Sequence, residues 1–179
     1  MSISIRRMIY IALFAVIIAV CSWISIPSSV PFTLQTFAIA SALLFLGGLD
    51  ALLSVLLYVL LGAVGLPVFS SFTGGVAVLM GPTGGYILGF VVMALVYWLM
   101  TSVFKDKLIT KIIAITVGMI FCYLSGSLYY VFIGSNGDFI QGFITALSAC
   151  VLPFIIGDII KITLAFLLVL RLSKILKRR

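Results

Sequence analysis

The sequence predicts an all-α integral membrane protein that folds as a bundle of six transmembrane helices. Of its 179 residues, 64% are hydrophobic and only 8% are charged, and the mean hydropathy is +1.42. The apolar residues form long runs, and a run of about 20 is enough to cross a bilayer as a helix. Because the spans use most of the chain, residues 1–179 are interpreted as one domain within the lipid bilayer.

The composition also excludes several classes of function. Histidine and glutamate are absent, which excludes His-based acid–base catalysis and His metal sites. No GxxxxGK[ST] phosphate-binding motif occurs, so any ATP chemistry must come from another protein. The net charge is +7, but the cations stand at the ends of apolar runs, which is typical of membrane topology and not of nucleic-acid binding. We therefore predict no catalytic residue, metal, cofactor or nucleic-acid partner.

The first span is predicted at Met8–Ile26, directly after Arg6–Arg7. No small-residue cleavage site follows it, so we do not interpret it as a removable signal. Its residues Ala12, Ala15 and Ala19 fall along one side of the helix, where small side chains allow another helix to approach closely. Packing inside the bundle and docking of an external partner explain these alanines equally well.

The remaining spans are predicted at 37–46, at 51–66, in a fourth run that continues to about 104, at 112–133 and at 142–170. The last run is longer than one span needs, and we expect Pro153 to kink or divide it. The stretch 65–89 is too rich in glycine and proline to be one plain helix. It is predicted as an outer loop, or as a re-entrant segment lining a site, between the third and fourth helices.

The positions of the basic residues predict the topology. Six spans put both termini on one side, and Arg6–Arg7, Lys105–Lys111 and the basic C-terminal tail mark that side as cytoplasmic. The connections then expected outside are 27–36, 66–82 and 134–141.

Asp158 and Lys161 stand inside the last apolar run, one helical turn apart. An Asp or Lys at the centre of a membrane helix costs about 2.5–3.5 kcal/mol, so both residues need an explanation. They either neutralise each other as a structural ion pair or bind a ligand, and an intramembrane pair is a functional hypothesis by default. Since the outer connections lie above them, we expect a cavity that opens to the exterior and has this pair at its floor.

Three motifs occur together: VPFTLQTF at 30–37, FTGGVAVLMGPTGGYILGF at 72–90 and PFIIGDIIKITLA at 153–165. This set resembles the BioY family, the biotin-binding substrate-specific components of energy-coupling-factor transporters. The resemblance implies a six-helix bundle with an outward-facing pocket in a prokaryotic cell membrane, with biotin as the transported ligand. It also implies a transmembrane coupling subunit and paired ATPases as partners. Ala12, Ala15 and Ala19 resemble the alanine motif with which such components dock on the coupling subunit.

The resemblance also implies a set of site residues. Lys161 is expected to bind the biotin carboxylate and Asp158 a ring N–H, while the backbone of the glycine stretch shares the negative charge. The expected substrate-binding residues are Thr33, Gln35, Phe72, Gly74, Gly75, Tyr86, Asp158 and Lys161. Phe72 is equally compatible with simple packing. The alternatives are a component for another small vitamin, an intramembrane enzyme and a purely structural subunit. A binding scan with several vitamins tests the first, alteration of the ligand by the purified protein would indicate the second, and the third would bind no small molecule.

Overall fold

The computed structural model describes residues 4–27, 30–104, 107–134 and 139–176, and these are mainly helical. Parts of the expected charged and polar connections lie outside the described residues, namely 28–29, Lys105, Asp106, 135–138 and 177–179. The helices are α1 Ile5–Trp23, α2 Gln35–Leu46, α3 Gly48–Ala63, α4 Val76–Leu79, α5 Gly84–Val103, α6 Leu108–Gly134, α7 Phe139–Cys150 and α8 Leu152–Leu176.

Four of these helices, α1, α5, α6 and α8, are long and apolar enough to cross a membrane. Helices α2, α3 and α7 are apolar but shorter, between 12 and 16 residues. The prediction of an all-α, multi-pass membrane protein is confirmed at this level.

The last predicted span, 142–170, is divided in two at Val151, where α7 ends and α8 begins. Pro153 is the second residue of α8. Proline is tolerated in the first turn of a helix, where its missing N–H has no helical partner, but it cannot continue a helix that precedes it. The expectation that Pro153 divides this run is therefore confirmed, and Asp158 and Lys161 come to lie in the second and third turns of α8.

A two-stranded antiparallel ribbon connects α1 to α2, which the sequence did not predict. Strand β1, Ser25–Ile26, pairs with β2, Phe32–Thr33. The backbone N–H of Leu34 also donates to the carbonyl of Ile24 (3.0 Å). The ribbon folds the chain back, so that Phe32 and Thr33 are held directly before the start of α2.

Helix α2 lies at the centre of the bundle. Its buried face includes side chains with no exposed surface, namely Ala38, Ile39, Ala40, Ala42 and Leu43. Helices α1, α3 and α8 pack around it. Because α2 is fixed on several sides, the residues at its start are fixed as well.

Glycines on α5 let it approach α6 closely. A Cβ on Gly85 would meet the Tyr129 side chain, and one on Gly89 would meet Ser125 and Cys122. Gly81, Gly85 and Gly89 recur every fourth residue, and the role of the last two is close helix packing. The contact also places Tyr86 of α5 against α6.

The turn between α2 and α3 lies at the same end of the bundle as the start of α1. Gly47 in this turn has φ +85°, a conformation that favours glycine. Asp50, in the first turn of α3, forms an ion pair with Arg7 of α1, whose Nε donates at 2.5 Å. A Cβ on Gly48 would meet Trp98, so the last part of α5 reaches this end too.

Candidate binding site

A buried ion pair forms the centre of the candidate site. Asp158 and Lys161 of α8 are 5% and 6% exposed, and Nζ of Lys161 lies 2.6 Å from Oδ1 of Asp158. Tyr123 of α6 donates its hydroxyl to the other carboxylate oxygen, Oδ2, at 2.6 Å. The prediction that these two charges meet inside the bundle is thus confirmed, and α6 supplies a third member of the cluster.

The ribbon completes the surroundings of Lys161. Its ammonium donates to the carbonyl of Thr33 (2.8 Å) and lies 3.8 Å from the centre of the Phe32 ring, a cation–π distance. A Cβ on Gly157 would meet that ring, so the glycine before Asp158 allows Phe32 to lie against α8. A lysine has three N–H donors, and the bonds to Asp158 and Thr33 use two of them, so the third has no acceptor among the residues that the structure describes.

The electrostatics of this cluster favour a polar, uncharged partner. The two charges of Asp158 and Lys161 cancel, and each is hydrogen-bonded, so the cost of burying them is largely offset. The carboxylate keeps lone pairs beyond the two it uses for Lys161 and Tyr123. The pair therefore presents one acceptor and one donor side by side.

A cavity of about 340 Å³ lies above this pair. Such a volume is within the usual range for small-molecule sites, which are mainly apolar with a few polar groups. Its aromatic lining residues are Phe32, Tyr58, Phe69, Tyr86, Phe90, Tyr123 and Phe154. Its polar lining residues are Thr33, Gln35, Thr36, Ser70, Ser71, Thr73, Thr83, Asp158 and Lys161.

Five of the eight predicted binding residues line this cavity: Thr33, Gln35, Tyr86, Asp158 and Lys161. Two of them are fixed by hydrogen bonds, because the Gln35 amide donates to the Tyr58 hydroxyl (3.0 Å) and the hydroxyls of Tyr86 and Ser127 share a bond of 3.3 Å. The side chains are therefore held before any ligand arrives.

The other three predicted residues do not line the cavity. Phe72 is 64% exposed and stacks on Trp23, with ring centres 4.9 Å apart. The N–H of Gly75 donates to the carbonyl of Gly62 (2.7 Å), so it is already used. Gly74 packs so closely on the carbonyl of Leu66 that a Cβ would collide with it. Phe72 and these two glycines shape the loop over the cavity and do not face into it.

Several lining residues were not predicted from the sequence. Tyr123 carries a hydroxyl within an apolar run, and this alone indicates that the hydroxyl needs a hydrogen-bond partner. Phe32 stands inside the VPFTLQTF motif and stacks on Phe154, with ring centres 5.4 Å apart. Tyr58 gives the same indication as Tyr123, inside the apolar run 51–66, whereas Ser70 gives none.

The three alanines of α1 face different surroundings. Ala15 is 2% and Ala19 is 6% exposed, and both belong to the chain's own core, whereas Ala12 is exposed. This packing favours the internal explanation for Ala15 and Ala19. Only Ala12 remains available to an external partner.

The described residues hold no group of three or more His, Cys, Asp or Glu side chains that suits a metal ion. The three cysteines, Cys21, Cys122 and Cys150, are buried free thiols, and the last two line the cavity.

Comparisons with known proteins agree with this description. The model of the BioY family matches residues 1–178. Biotin transporter BioY of Thermotoga maritima is 39% identical over 171 residues, which covers 95% of this chain and 97% of that protein. Biotin transporter BioY2 of Lactococcus lactis subsp. cremoris is 40% identical over 169 residues, covering 93% and 89%. The crystal structure of an S-component for biotin from an ECF-type ABC transporter matches with a TM-score of 0.80 at 26% identity, covering 97% and 95%.

Proposed function

This chain belongs to the BioY family, and on that premise we propose that it is the biotin-binding S component of an energy-coupling-factor transporter. It captures biotin at the outer face of a prokaryotic cell membrane and delivers it inward. The named relatives are transporters, so its activity is binding and transport and not catalysis.

The observation that carries the proposal is the cavity with the Asp158–Lys161 pair in its wall. Biotin is a small fused bicycle with a neutral cyclic urea and a valerate tail. The aromatic lining matches the apolar body of the bicycle, and the few polar groups provide its orientation. Thr33, Gln35, Tyr86 and the ion pair are the proposed contacts.

The distance within the pair bears on how biotin lies in the cavity. The sequence suggested that Lys161 meets the carboxylate and Asp158 the ring, but these side chains are only 2.6 Å apart. The valerate tail separates the two ends of biotin, so both residues must meet the same end. We therefore replace the two-ended assignment with a single-ended one.

The chemistry selects the urea end. A cyclic urea presents an N–H next to a C=O, which matches the acceptor of Asp158 beside the donor of Lys161. A carboxylate presents acceptors alone, and it would place its negative charge against that of Asp158. The urea accordingly lies at the pair, and the valerate tail extends towards the mouth of the cavity.

The chain acts as a single six-span unit in this proposal, with α1, α2, α3, α5, α6 and α8 as the spans. Both termini and the 47–50 turn are cytoplasmic, which the basic residues of the sequence and the Arg7–Asp50 ion pair support. The loop between α3 and α5 then covers the cavity from outside. Closure of this loop and of the 27–36 connection retains the ligand.

Delivery needs partners, because the sequence contains no ATP-binding motif. A transmembrane coupling subunit and paired ATPases reorient the loaded component. The exposed side of α1 that contains Ala12 is the surface proposed for docking.

Equilibrium titration of the purified protein tests the proposal. Biotin should bind with one site per chain, while riboflavin and thiamin should not compete for it. If another vitamin displaced biotin, or if biotin did not bind, the assignment of the ligand would be wrong.

A further inference from the structure

The hydroxyl of Ser70 is a polar group in the cavity wall that the proposed contacts do not use. Its oxygen is buried and has no hydrogen-bond partner among the described residues, and Ser70 is one of the residues that line the cavity. A buried hydroxyl without a partner is unfavourable, so native proteins rarely retain one without a reason. A ligand group that hydrogen-bonds this hydroxyl supplies the missing partner.

The turn that carries Ser70 is fixed from within. The N–H and the hydroxyl of Thr73 both donate to the carbonyl of Ser70 (3.3 and 2.8 Å), and the N–H of Phe69 donates to the carbonyl of Thr73 (2.9 Å). Ser71 and Phe72 both have φ +57°, which is uncommon for residues other than glycine. Strained backbone of this kind persists only where neighbouring contacts hold it, and it is frequent at ligand sites.

Helix α1 supplies those neighbouring contacts. Trp23 stacks on Phe72 and donates its indole N–H to the carbonyl of Pro67 (2.9 Å), and Ser22 donates to the carbonyl of Val68 (2.6 Å). The backbone at Ser70 is therefore held in place before a ligand binds, which reduces the entropic cost of forming a contact.

The orientation proposed for biotin leaves its carboxylate in need of a donor. Among the lining residues that the structure describes, Lys161 is the only lysine or arginine, and its place is at the urea end. The loop between α3 and α5 offers hydroxyls instead, on the lining residues Ser70, Ser71 and Thr73. Thr83 also lines the cavity and directly precedes α5, whose N-terminal end favours a negative charge.

We propose that the Ser70 hydroxyl donates to the ligand's carboxylate, in a subsite that contains no cation. The inference rests on the proposed function and deepens it, because it assigns the second end of the ligand. Binding of the carboxylate then depends on one neutral donor and the α5 terminus, so selectivity for a charged tail is modest.

Titrations of wild-type protein and Ser70→Ala with biotin and biotin methyl ester test this subsite. Because the variant loses a hydrogen bond to a charged acceptor, its affinity for biotin should fall about tenfold. Its affinity for the neutral ester should fall less than about threefold. The thermal unfolding temperature without ligand should stay equal or rise, because the variant removes a buried unpaired hydroxyl. Ser54→Ala is the matched control, since Ser54 is buried but donates to the carbonyl of Asp50 away from the cavity.

The outcomes distinguish this inference from the proposed function. The Ser70 subsite alone would be overturned if Ser70→Ala left the affinity for biotin unchanged. It would also be overturned if the affinities for biotin and for its ester fell by the same factor. A wild-type preference for biotin over the ester of more than about a thousandfold would also overturn it, because that indicates a cation at the carboxylate. Failure of the wild type to bind biotin at all would overturn the proposed function and this inference together.

Discussion

Neutralising the Asp158–Lys161 pair in two steps separates its role in folding from its role in binding. The two side chains are 7% and 8% exposed, so removing one charge leaves the other buried and unpaired. Breaking a buried ion pair from one side costs about 3–5 kcal/mol of stability. We expect that loss for Asp158→Asn or Lys161→Met alone. The double variant should return close to wild-type stability, because neutral residues of similar size replace both charges.

Biotin binding should respond differently from stability. The double variant removes the hydrogen bond from Lys161, worth about 1.5–3 kcal/mol, and replaces the charged acceptor of Asp158 by a neutral amide oxygen, so biotin should bind at least about tenfold more weakly. Thermal unfolding and calorimetric titration in detergent measure the two effects on the same samples. A double variant with wild-type affinity would refute the role of the pair in binding. Single variants as stable as the wild type would refute the argument from burial.

Four other substitutions test separate parts of the structure. Tyr123→Phe removes the hydroxyl that donates to Asp158 but retains the shape of the cavity. The affinity for biotin, measured by titration, should fall about tenfold. Ala12→Leu should leave the affinity for biotin in detergent unchanged but reduce uptake by cells that contain the coupling partners. Ala15→Leu should instead lower the free energy of unfolding by about 1–3 kcal/mol, because it overpacks the core. Gly89→Ala should likewise destabilise the α5–α6 contact by about 1–3 kcal/mol, measured by thermal unfolding.

Each of these expectations has a result that contradicts it. Unchanged affinity in Tyr123→Phe would mean that the tyrosine does not support the site. Normal uptake with Ala12→Leu would indicate that this side of α1 faces lipid. A stable Ala15→Leu protein that binds biotin but fails in uptake would place that alanine at the partner interface. A Gly89→Ala protein as stable as the wild type would show that the α5–α6 contact can accommodate a methyl group.

The ion pair is the part of the site that the sequence predicts best. The cost of burying Asp158 and Lys161 is visible in the sequence, and helical geometry alone brings positions three apart onto one face. The other partners of this pair are not predictable in this way. Tyr123 and Phe32 reach the pair only because the fold brings their side chains from α6 and from the ribbon to α8, and that tertiary arrangement has no signature in local sequence.

The direction in which a membrane helix faces is harder to predict. Lipid is as apolar as the interior of the bundle, so hydrophobic periodicity hardly distinguishes the two sides of α1. For this reason Ala12, Ala15 and Ala19 look alike in the sequence, although one is exposed and two are buried.

The glycine-rich loop before α5 is also only partly predictable from the sequence. The glycine-rich stretch was correctly predicted not to be one plain helix, since glycine and proline punctuate it. Which residues turn inward depends on single backbone angles. The positive φ values of Ser71 and Phe72 place Phe72 outside against Trp23, while Ser70 lines the cavity.

A crystal structure of the protein with bound biotin tests the central claim most directly. The account predicts the urea oxygen within hydrogen-bonding distance of Nζ of Lys161 and a ring N–H on Asp158, with the carboxylate at the cavity mouth. A carboxylate bound to Lys161, or a ligand outside this cavity, would contradict it.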